Sequence, residues 1–429
     1  MSRDRQDNTC ILVTGANSGL GFSICCRLAD EFLSSHSDPL HTLTVIFTTR
    51  SARKAQDTQK RLEAHLRASA ASPSAAARVQ FVPEHVDLGD LVSVRDLSRR
   101  LVRTLSKLDA IVLNAGIGGW SGLNWPRAIW GVCTDLVQEV TWPTFKVAPT
   151  GVVTDKQTDG KEDEPPLGAV FCANVFGHYM LAHNVVPLLK RASNGPSRVV
   201  WLSSIEAASK AFHAEDIQGL RSATPYESSK ALTDILALTS NLPSTAPWAV
   251  DSFLQSDSSD PDATPNMYVS HPGICATAIV PLALPLVYAM VAAFWIARML
   301  GSPWHTMSTY TGASAPVFLA LSPQDAIDAA EAPYHQAGGG RPKWGSSASR
   351  LGRGSVACTE VDGWGYGGVV GRAVVEADRL RRRKRGAVDL TREEREKFEE
   401  LGRQCWKQME ELRVKWEAIL DRAEERRQT

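Results

Sequence analysis

CILVTGANSGLG (residues 10–21) decides the reading of this chain. An apolar, partly β-branched run ends at Thr14, and glycines follow at positions 15, 19 and 21 before an apolar-periodic segment from Leu20 to Phe32. A strand that turns directly into a helix aims backbone amides and the positive helix end at one point, where a pyrophosphate can sit. Glycine serves where the chain turns tightly, where a side chain would hold phosphates away, and where helix and strand pack closely. Gly15, Asn17, Ser18, Gly19, Leu20 and Gly21 are therefore candidate dinucleotide contacts, with a GxxxGxG spacing rather than GxGxxG.

Working outward, strand-like and helix-like segments alternate: LTVIFTTR (43–50), a helix over 52–67, VQFVPEHVDL (79–88), a helix over 91–105, LDAIVLNAG (108–116), a helix over 170–189, SRVVWLSS (197–204), a helix from Tyr226 and NMYVSHPG (266–273). Seven strand-like runs are counted by Gly273. The pattern predicts an α/β Rossmann-type doubly wound parallel sheet with helices on both faces. Residues 1–278 form the catalytic domain, interrupted by 117–167 and 243–265, which read as loops. At the end of the second strand, where an acid would bind a ribose 2′-hydroxyl, stand Thr49 and Arg50, with Arg53 and Lys54 beyond; this favours NADP(H). Asp87 and Asn114-Ala115-Gly116 lie at carboxyl ends of further strands, where ligands sit in open α/β sheets, although turn chemistry alone explains such residues equally well.

Tyr226 and Lys230 lie four apart in YESSK and so share a helix face. The ammonium is expected to lower a phenol pKa that is otherwise about 10. Ser204, with Ser203 close behind, ends the fifth strand and can polarise a carbonyl. Together TGANSGLG, LNAG, Asn174 within CANVFGHYMLAHNVVPLL, LSS and YESSK resemble the short-chain dehydrogenase/reductase family over residues 9–277. That resemblance implies a tetrad of Asn174, Ser204, Tyr226 and Lys230, with Asn174 helping to hold a relay water. HPGI with Thr277 is similar to the family's segment on the nicotinamide side, so Gly273, Ile274 and Thr277 are further cofactor candidates.

Within that family the chain is most similar to the fungal 3-keto-steroid reductases. The likeness rests on VTGANSGLGFSICCRL, TLTVIFTTRSARKAQDT, the insertion after LNAGI, FHAEDIQGL, TPYESSKALTD and the hydrophobic run after SHPGI. It implies NADPH-dependent reduction of the 3-keto group of a sterone to a 3β-hydroxyl during sterol C-4 demethylation in ergosterol biosynthesis. It also implies a sterol substrate and association with other C-4 demethylation enzymes. The tetrad leaves open another apolar ketone or alcohol (retinoid, fatty acyl or 17-ketosteroid), and the motifs leave open a non-catalytic NADP-binding scaffold.

Charge and composition narrow the surroundings. Lys plus Arg and Asp plus Glu are 47 each, which gives no field for nucleic acid. Eight cysteines without a CxxC pair suggest neither a metal site nor a disulfide framework, and hence a reducing compartment. The polar start MSRDRQDNTC has no signal-peptide pattern. Residues 279–297 carry no charge, and membrane association is expected for the 279–330 segment, spanning or lying on the bilayer. The expected location is the endoplasmic reticulum membrane and lipid droplets, with the catalytic domain towards the cytosol. Trp120, Trp125, Trp130, Trp142 and Phe145 are expected to line an apolar pocket, unless they form a plain core lid. Residues 331–390 read as a flexible linker with a basic run at 379–385, and 391–429 as an amphipathic helix that binds pathway proteins or a membrane. In that helix Thr391 and Glu394 have capping-box spacing, and Phe398, Leu401, Cys405, Met409, Leu412, Trp416 and Ile419 share a face.

Overall fold

The computed structural model describes residues 8–158, 164–193, 195–255, 264–276 and 284–428. Thr277 and residues 279–283 of the apolar run lie outside the described residues. The strands are β1 (Asn8–Val13), β2 (Thr42–Thr49), β3 (Val79–His85), β4 (Ala110–Leu113), β5 (Gly122–Leu123), β6 (Lys146–Val147), β7 (Arg198–Leu202), β8 (Asn266–His271), β9 (Lys343–Ala348) and β10 (Gly354–Thr359).

Eight of them form one sheet in the order β10-β9-β8-β7-β4-β1-β2-β3, parallel except for the β9/β10 pair. The chain winds outward from β1 to β3, returns to β4 on the other side of β1, and continues outward. The switch point therefore falls between β1 and β4, and ligands in such sheets bind at the carboxyl ends there. Buried β-branched and aromatic residues on both faces of each strand supply two cores. One core receives helices Leu91–Thr104, Gly177–Asn184 and Pro225–Thr239; the other receives Gly19–Ser35, Ala52–Ser69 and Ser314–Leu321. This is the doubly wound Rossmann-type sheet expected from the alternation.

Four expectations are corrected. Six strands of the main sheet precede Gly273, not seven. The 117–167 insertion is no plain loop: it holds helix Trp125–Thr141 and the β5/β6 hairpin. Asn124 caps that helix by accepting from the Arg127 amide at 3.2 Å, and Pro126 sits in its first turn, where no amide is lost. In the second insertion, a π-helical stretch Pro247–Phe253 packs against the C-terminal helix Arg392–Gln428, while residues 256–263 lie outside the described residues. Lastly, 331–390 is no flexible linker, because β9 and β10 extend the sheet, and the Ser346 hydroxyl satisfies both Gly312 O (2.6 Å) and the Ala315 amide (2.9 Å).

The C-terminal helix does not stand apart from the fold. Thr391 and Glu394 form the reciprocal capping box, at 2.9 and 3.2 Å between backbone amide and side chain. Cys405, Trp406, Met409, Trp416 and Ile419 are buried in the core beneath the sheet. The basic run is ion-paired within the chain: Arg381 pairs with Asp378, Arg382 and Arg385 with Asp135, Arg383 with Glu360 and Asp389, and Lys384 with Asp362. The apolar face of this tail is thus used within the chain itself.

Candidate active site

The glycine turn and the end of β4 form one unit. The Thr14 hydroxyl accepts from the amides of Asn114 (2.9 Å) and Ala115 (3.1 Å), and the Asn114 side-chain amide donates to Thr14 O (2.9 Å) and Gly15 O (3.3 Å). Gly15 has φ +71°, and a Cβ there would lie 2.7 Å from that of Ala115. At Gly21 a Cβ would meet Gly15 O at 2.3 Å. No side chain therefore fits where a phosphate group must approach. Ser18 precedes helix Gly19–Ser35 without capping it, so the first-turn amides face outward beside Asn17, Gly19 and Leu20.

Arg50, Arg53 and Lys54 are exposed around the end of β2. Thr49 is buried, and its hydroxyl donates to Ser51 O at 2.9 Å, so only its backbone can serve a ligand. The Asp87 carboxylate accepts from the Gly89 amide at 2.9 Å. A cradle free of side chains and an uncapped helix start together fit the pyrophosphate of a dinucleotide.

Helix Pro225–Thr239 begins with proline at its first position, which fixes its start one residue before Tyr226. One turn later, the Lys230 ammonium lies 5.8 Å from the centre of the Tyr226 ring and donates to Leu202 O at 2.7 Å. The Ser204 hydroxyl accepts from the Glu206 amide at 3.1 Å and stands near the Tyr226 phenol, whose pKa it lowers. Ser203 points elsewhere, donating to Lys230 O at 3.2 Å. The geometry thus separates two serines that the sequence left close together.

Electrostatically the pair differs from the expectation. Burial pushes the Tyr226 phenol above its usual range, with Glu206 adding to the rise and Ser204 opposing it. Burial pushes Lys230 down to about 8, with Asp234 opposing and Lys343 adding. Desolvation outweighs the phenol-lowering effect expected of the ammonium, because both groups are shielded from water.

Asn174 sits in a single π-helical stretch, Cys172–Phe176, a distortion common at functional sites. Its side chain accepts from the Ile117 amide (2.7 Å) and donates to Ile117 O (3.0 Å) and the Ser229 hydroxyl (3.1 Å). Asn174 thereby ties the segment after Gly116 to the catalytic helix, and Gly116 leaves it room, since a Cβ there would lie 2.9 Å from Asn174 Oδ1. Beyond β8, Gly273 donates to His271 Nδ1 (3.0 Å) and Ile274 to Trp304 O (2.7 Å), at the same end of the sheet.

Part of the first insertion covers this end. The Trp120 ring centre lies 4.8 Å from that of Tyr226, and the Lys146 ammonium lies 3.9 Å above Trp120 while paired with Glu206. Trp142 lines a small cavity with Ile205 and Trp304. Trp125 and Trp130, expected in a pocket, are instead 44% and 74% exposed, because Ala128, Gly131, Val137 and Thr141 take the inward face of their helix. Lys146 and Glu206 escaped the sequence reading. Glu206 had a signal, two residues past Ser204; Lys146, far along the chain, had none.

Helix Leu284–Met299 packs on the insertion helix, and Leu284, Tyr288, Trp295, Ile296, Met299 and the following Leu300 are exposed. Among the described residues no helix is long and apolar enough to cross a membrane.

No family model matches the chain. A 3-keto-steroid reductase of Aspergillus fumigatus is 65% identical over 428 residues, covering 96% of this chain and 95% of that protein. One from Gibberella zeae is 42% identical over 97% of this chain and 95% of that protein, and one from Schizosaccharomyces pombe is 32% identical over 82% and 90%. Among solved structures, a 7 alpha-hydroxysteroid dehydrogenase complexed with NADH and 7-oxo glycochenodeoxycholic acid matches with a TM-score of 0.43 and 18% identity, over 76% of this chain and 91% of that one. The sequence identities, spread over nearly the whole length, settle the family: the chain belongs to the fungal 3-keto-steroid reductases.

Proposed function

We propose that this protein reduces the 3-keto group of a sterone intermediate to a 3β-hydroxyl, using NADPH, in sterol C-4 demethylation on the way to ergosterol. The observation that carries the reading is the convergence of Ser204, Tyr226 and Lys230 at the switch-point end of the sheet, beside a glycine turn flanked by Arg50, Arg53 and Lys54. When bound, the reduced nicotinamide supplies a hydride to the carbonyl carbon. Ser204 donates a hydrogen bond to the carbonyl oxygen. Tyr226, held protonated by burial, gives its phenolic proton to the oxygen as negative charge develops there. Lys230 holds positive charge beside the phenol and limits the cost of the phenolate that results. Asn174 keeps the backbone around Ile117 fixed against the catalytic helix.

A membrane-dissolved substrate gives the exposed apolar helix a use. We read Leu284–Met299, together with Trp125, Ile129 and Trp130 of the helix packed on it, as lying on a bilayer at the endoplasmic reticulum, with the catalytic domain on the cytosolic side. The free state of all eight cysteines supports a reducing compartment.

The test is turnover of 3-keto sterols by purified protein with NADPH or NADH. Tyr226→Phe is expected to abolish turnover while leaving NADPH affinity within about twofold. Arg50→Ala is expected to weaken NADPH by roughly tenfold or more, one charge-assisted contact, and NADH little. Full turnover by Tyr226→Phe would reject the chemistry, and equal losses for both cofactors would reject the NADP assignment.

A further inference from the structure

Lys343 is the first residue of β9, far from every motif in the sequence, yet its ammonium lies at the catalytic rim. It is 2% exposed and donates to Asp234 Oδ2 at 2.6 Å, Ser204 O at 2.7 Å and Ser203 Oγ at 3.2 Å. An ammonium has three protons, and these three contacts use them.

Two of the acceptors belong to the end of β7. The β7/β8 ladder ends with the pairing of Leu202 and Ser270, and the Ser203 amide makes the last contact, to Ser270 O at 2.8 Å. Ser204 O lies beyond that ladder and accepts from Lys343 at 2.7 Å and, over a longer 3.3 Å, from the Ala207 amide. Lys230 grips Leu202 O in the same way. Two lysines from different elements thus hold three consecutive residues, the last of which bears the hydroxyl that stands near Tyr226.

The third acceptor, Asp234, follows Lys230 by one helical turn on the same face. A buried carboxylate there is the natural counter-charge for Lys230, but at 2.6 Å it is committed to Lys343 instead. A buried ion pair is a poor means of gaining stability, because apolar residues of similar volume often serve as well. Its placement on Ser204 and next to Lys230 suits a role in the site.

We propose that Lys343 is a positioning residue for the reduction: it fixes the Ser204 backbone and holds Asp234 away from Lys230. This rests on the reading of Ser204, Tyr226 and Lys230 as the reacting groups. The charged and titratable groups around Lys230 are Tyr226 and Asp234 on its own helix, Lys343 from β9, and His178 from helix Gly177–Asn184. Burial pushes the His178 imidazole down to about 3, so it stays neutral.

The experiment compares full-length wild type, Lys343→Met and the double variant Lys343→Met/Asp234→Asn, by NMR titration of 13Cε-labelled Lys230 in the protein alone and by 3-keto-sterol turnover. In Lys343→Met, Asp234 becomes free to pair with Lys230, whose pKa is expected to rise by about one unit or more, and turnover to fall roughly tenfold or more with the NADPH KM little changed. The double variant removes both charges and is expected to return the Lys230 pKa to near the wild-type value while turnover stays low, because Ser204 O has lost its shorter, charge-assisted contact and keeps only the one from the Ala207 amide. If Lys343→Met fails to fold, the double variant decides alone: low turnover with a wild-type Lys230 pKa supports the proposal. An unshifted Lys230 titration in Lys343→Met, or wild-type turnover in either variant, overturns it. Failure of the wild type to reduce any 3-keto sterol would count against the substrate reading, while the titration still reports on Lys343.

Discussion

Two helices added to the same fold show opposite fates. Helix Arg392–Gln428 is dominated by charged residues, yet Cys405, Trp406, Met409, Trp416, Ile419 and Leu420 are buried beneath the catalytic helix. Helix Leu284–Met299 is apolar nearly all round and leaves most of its side chains exposed. Apolar content therefore does not decide which helix the fold absorbs. Spacing does: the C-terminal helix keeps one stripe apolar at three- and four-residue intervals, so a single face docks and the rest is solvated. The other has no polar side to turn to water and suits an environment that is itself apolar.

The comparison breaks most severely if the C-terminal helix is removed. Each large buried apolar side chain contributes about 1.5–3 kcal/mol, against a total stability of roughly 5–15 kcal/mol for a domain. Deleting residues 391–429 is therefore expected to abolish cooperative thermal unfolding, which calorimetry would register as a lost transition. Persistence of a sharp transition would show the helix to be dispensable.

Next in size is the buried polar network under that helix. Glu410 accepts from Tyr179 (2.6 Å) and from Arg413 (2.6 Å) and also pairs with Ser252. Glu410→Ala leaves Arg413 with Glu417 as its remaining ion-pair partner and strips the Tyr179 hydroxyl of its acceptor, and should cost about 1–3 kcal/mol, read from the midpoint of urea unfolding. Burial raises the Glu410 pKa, but Arg413, Ser252 and Tyr179 more than offset this and hold it below the usual carboxylate range. A depressed folded-state pKa contributes stability that is present above the unfolded value of about 4.3 and is lost as pH falls through the folded one. Wild type should lose stability over that acid window more steeply than Glu410→Gln.

A smaller effect is expected at Asp135, where the insertion helix kinks and where Arg382 and Arg385 converge at 3.0 and 2.7 Å. These cations are partly exposed, so Asp135→Ala should cost only about 0.5–1 kcal/mol and lose that cost in high salt. The smallest change in stability, within about 0.5 kcal/mol, is expected for Tyr288→Ser with Trp295→Ser. Sedimentation with phospholipid vesicles should nonetheless fall severalfold for this double variant. A large loss of stability without a change in sedimentation would mean that the exposed face is structural.

What could be read beforehand follows the range of each signal. The glycine turn, the parallel strands, the capping box at Thr391 and the stripe from Phe398 to Ile419 are local patterns, and each is present in the structure. KWGSSA and GSVACT could not be recognised as strands, since they are short, rich in serine and glycine, and lack alternating apolar residues. They are held by the neighbours they meet, as when Gly345 leaves room for His271 and Trp304. The insertion helix was hidden by Pro126 and Gly131, although the first is tolerated in an opening turn. Ser204 and Tyr226 were legible because their spacing is local. Lys343 and Lys146 reach the rim only through contacts across long stretches of chain, which periodicity cannot reveal.

The sheet is also finished out of step with synthesis. Its outer strands β9 and β10 lie beyond β8 in space, and the helix that seals the opposite core ends at residue 428. A growing polypeptide can pair β1 through β4 early, but Ser204 O meets Lys343 only when the last fifth of the chain is reached. Long-range closure of this kind slows folding. A product terminated before Lys343 would thus lack both the grip on its own reacting serine and the helix that seals the core, so competence waits on the residues made last.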